Sequence, residues 1–268
     1  MATTELHPSE LAYAFAYAKA DEIIGWGMEP FLPPSEGAGD PTEWLSTGEE
    51  RLIAGGRLLG KPGSGLNFAE SLSSAVLALV DPGVVLLAQR KEEDGVRTLT
   101  VHAAGVDFIG LTCRPDGTFE MIRYAELTAA AGACSSFVGA ALAPLESEAR
   151  IETNHQLLSK LQQLAAAGRE DKLVGALVKL GAAKADAASA ARALADPAVA
   201  GVVSVLYCAN NEVQDAETFT VLTTAEDDTW IVFPPAEIDG PMVLERCSVS
   251  ALTARIAVGI AARLAPTG

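Results

Sequence analysis

The side chains most able to bind a metal ion or act as a nucleophile are scattered along this chain. The three histidines, His7, His102 and His155, and the four cysteines lie far apart, without Cys-x-x-Cys or His-x-x-His spacing that gathers ligands around one ion. The Gly-x-Ser-x-Gly turn that presents a nucleophilic serine does not occur. We therefore expect no catalytic residue, no metal site and no cofactor.

Two further patterns resemble chemical sites, but local structure explains them better. Gly60–Gly65 has glycines spaced like a phosphate-binding loop, yet it follows a predicted helix rather than a strand. The acids of Glu49–Glu50 and Glu92–Asp94 are typical of a solvated helix turn and a hairpin tip, not of paired catalytic carboxylates. The sequence therefore favours a non-catalytic protein over an enzyme.

The charge balance excludes several classes of partner. The chain has 35 acidic and 19 basic residues, a formal net charge of −16, so its surface repels nucleic acid and anionic lipid. The segment 127–145 has no charge but too few large apolar residues to span a bilayer, and no basic residue precedes Lys19 as in a signal peptide. Together with the unclustered cysteines, this predicts a cytoplasmic protein with reduced thiols.

Aromatic residues are only 6% of the chain, and several of them surround one loop. Trp26, Phe31 and Trp44 lie in or beside the proline-rich segment 27–43, and Leu32 lies within it. If Trp26, Phe31 and Leu32 are exposed, they form an apolar surface that binds a protein partner or a second copy of the chain. If they are buried, they fix the loop to the helices beside it.

The sequence contains an internal repeat. Ser71–Val85 and Asp186–Ala200 are identical at seven of fifteen positions, among them Ser74/Ser189 and Asp81-Pro82/Asp196-Pro197. Three further blocks match in the same order: Glu50–Ile53 with Asp171–Val174, Asp116–Leu127 with Asp227–Ile238, and Val138–Ala141 with Val258–Ala261. Because solenoid repeats are only about 20–50 residues long, this spacing indicates a duplicated, domain-sized unit.

Each copy is predicted to contain helices followed by an antiparallel meander. In the first copy, helices over 44–59 and 66–80 end at Asp81-Pro82, strands follow at 84–90, 97–103, 106–113 and 118–124, and a helix over 126–142 closes the unit. The second copy has helices over 153–167, 169–180 and 184–195, strands at 202–208, 217–224 and 229–233, a further strand within 239–247 and a helix over 248–264.

These elements predict an α+β protein with an internally duplicated, pseudo-two-fold fold, in which an antiparallel β-meander sheet is flanked by helical bundles. The predicted units are 1–145 and 146–268. Gly139 and Gly259 occupy matching places in the two closing helices, and we expect a close helix contact at each of them. Trp230 is expected to lie in the core.

This arrangement resembles the EspG family of chaperones for type VII (ESX) secretion in actinobacteria. The likeness is carried by the helix that ends at Asp81-Pro82 before the first strand, by its repeat at Asp196-Pro197, and by the aliphatic helix–loop–helix of Leu52–Leu79. The resemblance implies a cytosolic chaperone that binds the helical tip of exported protein pairs. The family's long loop between sheet strands has no counterpart at Ala103–Val106, and no family binding residue is carried over.

Two functional hypotheses follow from these patterns. The first is a non-catalytic protein-binding protein that holds an apolar helical partner or associates with itself, as a homodimer for example. The alternative is a small-ligand binder or enzyme that uses a cleft between the two repeated units. An exposed apolar surface favours the first hypothesis, whereas a pocket in which histidines or acids converge favours the second.

Overall fold

The computed structural model describes residues 2–34, 40–60, 67–142, 149–233 and 240–264, with the side chains of 262–264 excepted. The helices are α1 (Pro8–Ala18), α2 (Pro41–Ala54), α3 (Glu70–Val80), α4 (Leu127–Phe137), α5 (His155–Ala166), α6 (Glu170–Lys179), α7 (Lys184–Ala195) and α8 (Val249–Leu264). The strands are β1 (Ala2–Leu6), β2 (Leu58–Leu59), β3 (Asn67–Phe68), β4 (Val84–Glu92), β5 (Gly95–Ala104), β6 (Asp107–Cys113), β7 (Phe119–Tyr124), β8 (Arg150–Thr153), β9 (Val199–Ala209), β10 (Glu212–Thr223), β11 (Thr229–Phe233) and β12 (Met242–Cys247).

Ten of the strands form one antiparallel sheet, and helices flank it. The strand order is β1-β7-β6-β5-β4-β9-β10-β11-β12-β8, while β2 and β3 form a separate two-stranded ribbon. Short turns such as Gly117 and Asn210–Asn211, which adopt positive φ, join neighbouring strands and require antiparallel pairing. The α+β class with an antiparallel sheet and flanking helices is thus confirmed.

The first compact unit comprises Met1–Leu86, Leu99–Ala130 and Leu206–Asp215. Helix α3 buries Leu72, Ala75, Val76 and Leu79 at the predicted helical spacing. Helices α1 and α2 approach closely at Gly48, where a Cβ would lie only 2.0 Å from the carbonyl oxygen of Ser9. These helices pack over β6 and β7 in a core that includes Leu6, Leu11, Phe15, Phe31, Leu52, Ile109, Leu111 and Phe119.

The second compact unit comprises Leu87–Thr98, Ala131–Val205 and Ala216–Gly268. Amphipathic helices α5, α6 and α7 pack over β11 and β12 in a core that includes Ile151, Leu161, Leu173, Leu177, Ala190, Trp230 and Leu244. Trp230 is fully buried, as predicted, and its Nε1 donates a hydrogen bond to Ser189 Oγ at 2.9 Å. Pairing this indole nitrogen removes the cost of an unsatisfied buried donor.

The same order of elements occurs in both halves of the chain. A short edge strand, three helices, four meander strands and a closing helix run from β1 to α4 and again from β8 to α8. Asp81 ends α3 with φ −132° and ψ 66°, and Asp196 ends α7 with φ −148° and ψ 70°. The equivalent role predicted for the two Asp-Pro pairs agrees with these matching backbone angles, because the residue before proline avoids the helical region.

Each unit also has a Ser–Asp–Arg network at equivalent places. In the first unit the Arg123 guanidinium pairs with Asp107 and donates to Ser74 Oγ at 2.7 Å and to the Ser71 carbonyl at 3.0 Å. In the second unit Arg246 pairs with Asp228, Ser189 Oγ donates to Asp228 at 2.7 Å, and Asp186 lies 3.8 Å from Arg246. Ser71 and Ser74 align with Asp186 and Ser189 in the sequence repeat, so the contacts support the duplication.

The networks correct one part of the predicted alignment. The sequence block Asp116–Leu127 places β7 opposite β11, and hence Phe119 opposite Trp230. The register instead pairs Arg123 with Ile109 across β6–β7 and Arg246 with Trp230 across β11–β12, so β7 corresponds to β12 and β6 to β11. Asp107 and Asp228 each lie two residues before the cross-strand partner of the arginine. The sequence block matched the turns before the two strands rather than their positions in the sheet.

The expected pair of mid-helix glycines is also wrong. Gly139 lies beyond the end of α4 with φ +79°, and a Cβ there would lie 2.6 Å from Val199 Cγ1. Gly259 is within α8, where the nearest atom to an added Cβ is Glu217 Oε2 at 3.9 Å. Only the first glycine is required by its backbone and by packing. The predicted unit boundary at 145/146 lies outside the described residues.

Candidate protein-binding surface

The structure separates the three residues predicted to bind a partner. Phe31 is fully buried, and its ring lies 5.0 Å from the rings of both Phe15 and Phe119. Trp26 is half-buried, with its ring 5.3 Å from Phe119. Leu32 is 54% exposed. The buried alternative therefore describes Phe31 and most of Trp26, and of the three only Leu32 offers a largely free side chain.

Hydrogen bonds explain why this loop is held against the core. Trp26 Nε1 donates to Thr100 Oγ1 at 2.8 Å, and Trp44 Nε1 donates to the Phe31 carbonyl at 2.9 Å. Both indole nitrogens are thereby paired, which allows the rings to leave water without a desolvation penalty. The short 3-10 helix Glu29–Phe31 directs Phe31 inward and leaves Leu32 at the surface.

A second group of aromatic side chains lies partly exposed in the first unit. Tyr17 is 53% exposed, and its ring contacts the ring of Phe68 edge-on at 5.0 Å. Tyr13 lies one helical turn before Tyr17 on the same face of α1 and is half-buried. We call Tyr13, Tyr17 and Phe68 the aromatic patch. Tyrosine at such a surface buries a large ring on binding while its hydroxyl remains hydrated.

The elements that form the aromatic patch are fixed by the core beneath it. Phe68 on β3 pairs in register with the buried Leu58 on β2, and both side chains pack against the core of the first unit. Leu59 is 53% exposed and paired with Asn67. Burial of the Tyr13 ring, with the nearby Glu49 carboxylate, raises the pKa of the Tyr13 hydroxyl. The Glu49 carboxylate therefore places a negative charge beside the aromatic patch.

The remaining large apolar side chains that are exposed in the described residues are single aliphatic groups. They are Leu32, Ile53, Leu59, Leu77, Val96, Val106, Leu142, Val178, Val213 and Val258. Tyr17 is the one aromatic residue among the exposed large apolar side chains of those ranges. Single exposed aliphatic side chains are normal in folded proteins and do not by themselves mark a site. The aromatic patch is therefore the best candidate for a protein-binding surface.

One polar cluster in the first unit contains residue types found in hydrolases. His7 Nδ1 lies 2.8 Å from Ser9 Oγ, and the nearby Glu10 accepts from the His7 backbone N–H at 2.7 Å. However, His7 Nδ1 also accepts from the Ser9 backbone N–H at 3.2 Å, and the Ser9 side chain is fully buried. Burial and the nearby Arg51 lower the pKa of His7. The cluster caps α1 and cannot present a nucleophile to a substrate.

The other titratable groups of interest are buried and neutral. Burial lowers the pKa of His102 to about 3, and its Nε2 lies 3.1 Å from Thr100 Oγ1. Burial raises the pKa of the Cys134 thiol to about 12 and that of Cys247 to about 11. Such thiols are poor nucleophiles. Across the described ranges, no three His, Cys, Asp or Glu side chains come close enough to hold a metal ion.

None of the helices in the described part of the chain has the length and apolar character needed to cross a membrane. The sequence pattern did not single out Tyr13 and Tyr17, because α1 is rich in alanine and its apolar residues follow a mixed periodicity. Their i, i+4 spacing in a chain with few aromatics was the available signal.

Comparison with known proteins gives a structural likeness only. No protein-family model matches the sequence, and no curated protein matches it. The fold is similar to that of the Mycobacterium tuberculosis type VII secretion system chaperone EspG5, solved in complex with the PE25–PPE41 dimer. The TM-score is 0.63, the match covers 97% of this chain and 94% of that chain, and 11% of residues are identical. At this identity the likeness shows the fold alone.

Proposed function

We propose that this protein is a non-catalytic, chaperone-like protein of the cytoplasm that binds an apolar helical partner and holds it in solution. The observation that carries this proposal is the fold, which matches a secretion chaperone over nearly the full length of both chains. That chaperone was solved with a protein dimer bound, so we expect a protein rather than a small metabolite as the principal partner. The four unpaired cysteines fit a reducing compartment.

The aromatic patch supports this function with a surface of suitable chemistry. Tyr17 and Phe68 offer adjacent rings that can pack against aliphatic side chains spaced one turn apart on a partner helix. Aromatic side chains are enriched among the residues that dominate binding energy. The formal net charge of −16 favours a partner whose apolar stripe is flanked by basic rather than acidic residues.

We also propose Leu32 as a partner contact separate from the aromatic patch, in a loop that Phe31 and Trp26 hold against the core. Leu32 directly follows the buried Phe31, so its position depends on the packing of that ring. We expect Leu32→Ser to weaken partner binding modestly while Phe31→Ser destabilises the first unit. A circular-dichroism melt separates the two effects, because only the second substitution should lower the melting temperature.

The test uses the full chain and a helical protein dimer encoded in the same genome. Co-expression followed by size-exclusion chromatography with light scattering should show a stoichiometric complex. Tyr17→Ser is expected to weaken it at least tenfold, since loss of an aromatic anchor costs about 2 kcal/mol or more. Val258→Ser is the matched control, because Val258 is 66% exposed on α8 and lies outside the patch.

Two results would contradict the proposal. Failure of every such helical dimer to form a complex removes the chaperone function. Equal binding by Tyr17→Ser and Val258→Ser places the partner elsewhere on the molecule. Self-association through the same surface is measured on the chain alone, where a homodimer would dissociate in Tyr17→Ser.

A further inference from the structure

The first unit contains a partly open cavity that the proposed partner binding does not use. Its volume is about 120 Å³, and it lies between the N-terminal part of α3 and the strands β1, β6 and β7. Leu72, Ala75, Ile109 and Met121, all buried, form one end. Arg57 and Arg123, whose side chains are 31% and 34% exposed, line the other end. The cavity is therefore apolar inside and charged toward solvent.

The second unit shows which chemical group this position in the fold accommodates. Ile109 on β6 lies opposite Arg123 on the neighbouring strand β7. In the second unit, the residue opposite Arg246 is the fully buried Trp230. Beside it, Thr4 faces Met121, whereas the second unit pairs the buried Ile151 with Leu244. At these two strand positions the second unit therefore has larger side chains than the first.

The size of the cavity suits one ring. An engineered apolar cavity of about 150 Å³ binds benzene in a well-studied case, so a space of this order accepts a single aromatic ring. Trp230 shows that a planar aromatic group packs beneath the equivalent helix α7. A ring bound under α3 would contact Leu72, Ala75 and Ile109, which are already buried from water.

The two arginines determine which polar group a ligand in this cavity should have. Arg123 is held at the cavity wall by Asp107, Ser74 and the Ser71 carbonyl, and Arg57 Nη1 donates to Glu10 at 2.9 Å. A guanidinium has five N–H donors, so these contacts leave donors on both groups for a further acceptor. Planar guanidinium groups favour carboxylates, which they bind through paired hydrogen bonds.

We propose that this cavity is a binding site for a small aromatic carboxylate, with the ring beneath α3 and the carboxylate at Arg57 and Arg123. The site shares no residue with the aromatic patch. It lies within the first unit, unlike the cleft between units that the sequence suggested as an alternative.

Benzoate and benzamide are the probes, because they have the same shape and differ in charge. Ligand-observed NMR and titration calorimetry on the full chain should show saturable benzoate binding at millimolar concentration. Benzamide should bind about tenfold more weakly, the equivalent of about 1.4 kcal/mol for the charged contacts. Arg57→Gln should remove this preference for benzoate while leaving benzamide binding unchanged.

Filling the cavity tests its location. Ile109→Trp with Leu72→Ala reproduces the residues of the second unit, where Ala187 aligns with Leu72, and should abolish binding of both probes. Thr4→Ile is a milder change that copies Ile151 and should weaken binding at least tenfold. Thr3→Ile is its matched control, since Thr3 is exposed and its side chain points to the opposite face of β1.

Three outcomes would overturn the proposal. They are the absence of benzoate binding at millimolar concentration, equal binding of benzoate and benzamide to the unaltered chain, and benzoate binding that survives Thr4→Ile as well as it survives Thr3→Ile. Complex formation with the helical dimer is measured separately, so failure here leaves the chaperone proposal standing.

Discussion

The two units share a polar network but differ in what surrounds it. Arg123 and Arg246 occupy equivalent strand positions, and each pairs with an aspartate and lies near an aligned serine on the helix above. The second unit completes its core with Trp230, whereas the first places Ile109 there and leaves a cavity. The Ser–Asp–Arg network is therefore the framework that the two units share, while the packing around it differs between them.

The links between helices also differ between the two units, in length and in the residues that they contribute. In the second unit α5, α6 and α7 follow one another with links of a few residues. In the first unit the link from α1 to α2 contributes Trp26 and Phe31 to the core, and the link from α2 to α3 contains the β2–β3 ribbon with Phe68. The longer links therefore supply the first unit with both aromatic core residues and part of the aromatic patch.

The largest difference between the units is expected when the residue opposite each arginine is truncated. Trp230→Ala should cost about 3–5 kcal/mol of unfolding free energy, since it removes a buried ring and leaves Ser189 without its indole donor. Ile109→Ala should cost about 2–3 kcal/mol, because Ile109 already borders open space. Urea unfolding measures both. Equal losses would show that the cavity does not distinguish the units.

Removing the arginine itself should produce the next largest effect. Arg246→Ala should cost about 2–3 kcal/mol, since it leaves the mostly buried Asp228 without its cationic partner. Arg123→Ala should cost about 1–2 kcal/mol, because Arg123 and Asp107 are more exposed to water. The measurement is again urea unfolding, with Arg150→Ala as an exposed control. A larger loss for Arg123→Ala would reverse the assignment of the tighter network to the second unit.

The corrected glycine pair gives a third comparison. Gly139→Ala should cost about 2 kcal/mol, because it combines a positive φ with a Cβ placed 2.6 Å from Val199 Cγ1. Gly259→Ala should raise stability by about 0.5–1 kcal/mol, because the site is an open position within a helix. Thermal unfolding distinguishes the two. Destabilisation by both substitutions would restore the original expectation of matching helix contacts.

The smallest expected effect is on acid stability. Burial alone would raise the pKa of Asp228, but hydrogen bonds from Ser189 and Arg246 outweigh it and lower the pKa below 3.8. A lowered carboxyl pKa contributes stability that is present above 3.8 and is lost as the pH falls through the folded-state value. Asp228→Asn should therefore flatten the decline in stability below that pH. An unchanged decline would mean that Asp228 contributes nothing to acid unfolding.

Much of the fold could be predicted where a repeating pattern extended over several residues. The strand predicted at 229–233 and the helix predicted at 184–195 match β11 and α7, because apolar spacing defines them and Asp227-Asp228, Pro234 and Asp196-Pro197 mark their ends. Strands β1 and β8 were missed because an edge strand of four or five residues has no such pattern. The first half of β10 was missed because Glu212–Ala216 is polar and mostly exposed.

The candidate site was harder to predict than the fold, since exposure depends on what packs from elsewhere in the chain. Phe31 and Leu32 are adjacent apolar residues in one loop, yet only Phe31 meets Phe15 and Phe119. Tyr17 lies in an alanine-rich helix of mixed periodicity, and its contact with Phe68 depends on where the β2–β3 ribbon packs. Neither outcome is encoded in the local spacing of residues.

Hydrogen exchange of the full chain, alone and with the helical dimer bound, tests most directly whether the first unit carries the partner surface. The account predicts slower exchange in the C-terminal half of α1 and in β2 and β3, which contain or adjoin the aromatic patch. Exchange in α5, α6 and α7 should remain unchanged by the partner. Protection confined to α5–α7, with none at α1 or the β2–β3 ribbon, would contradict it.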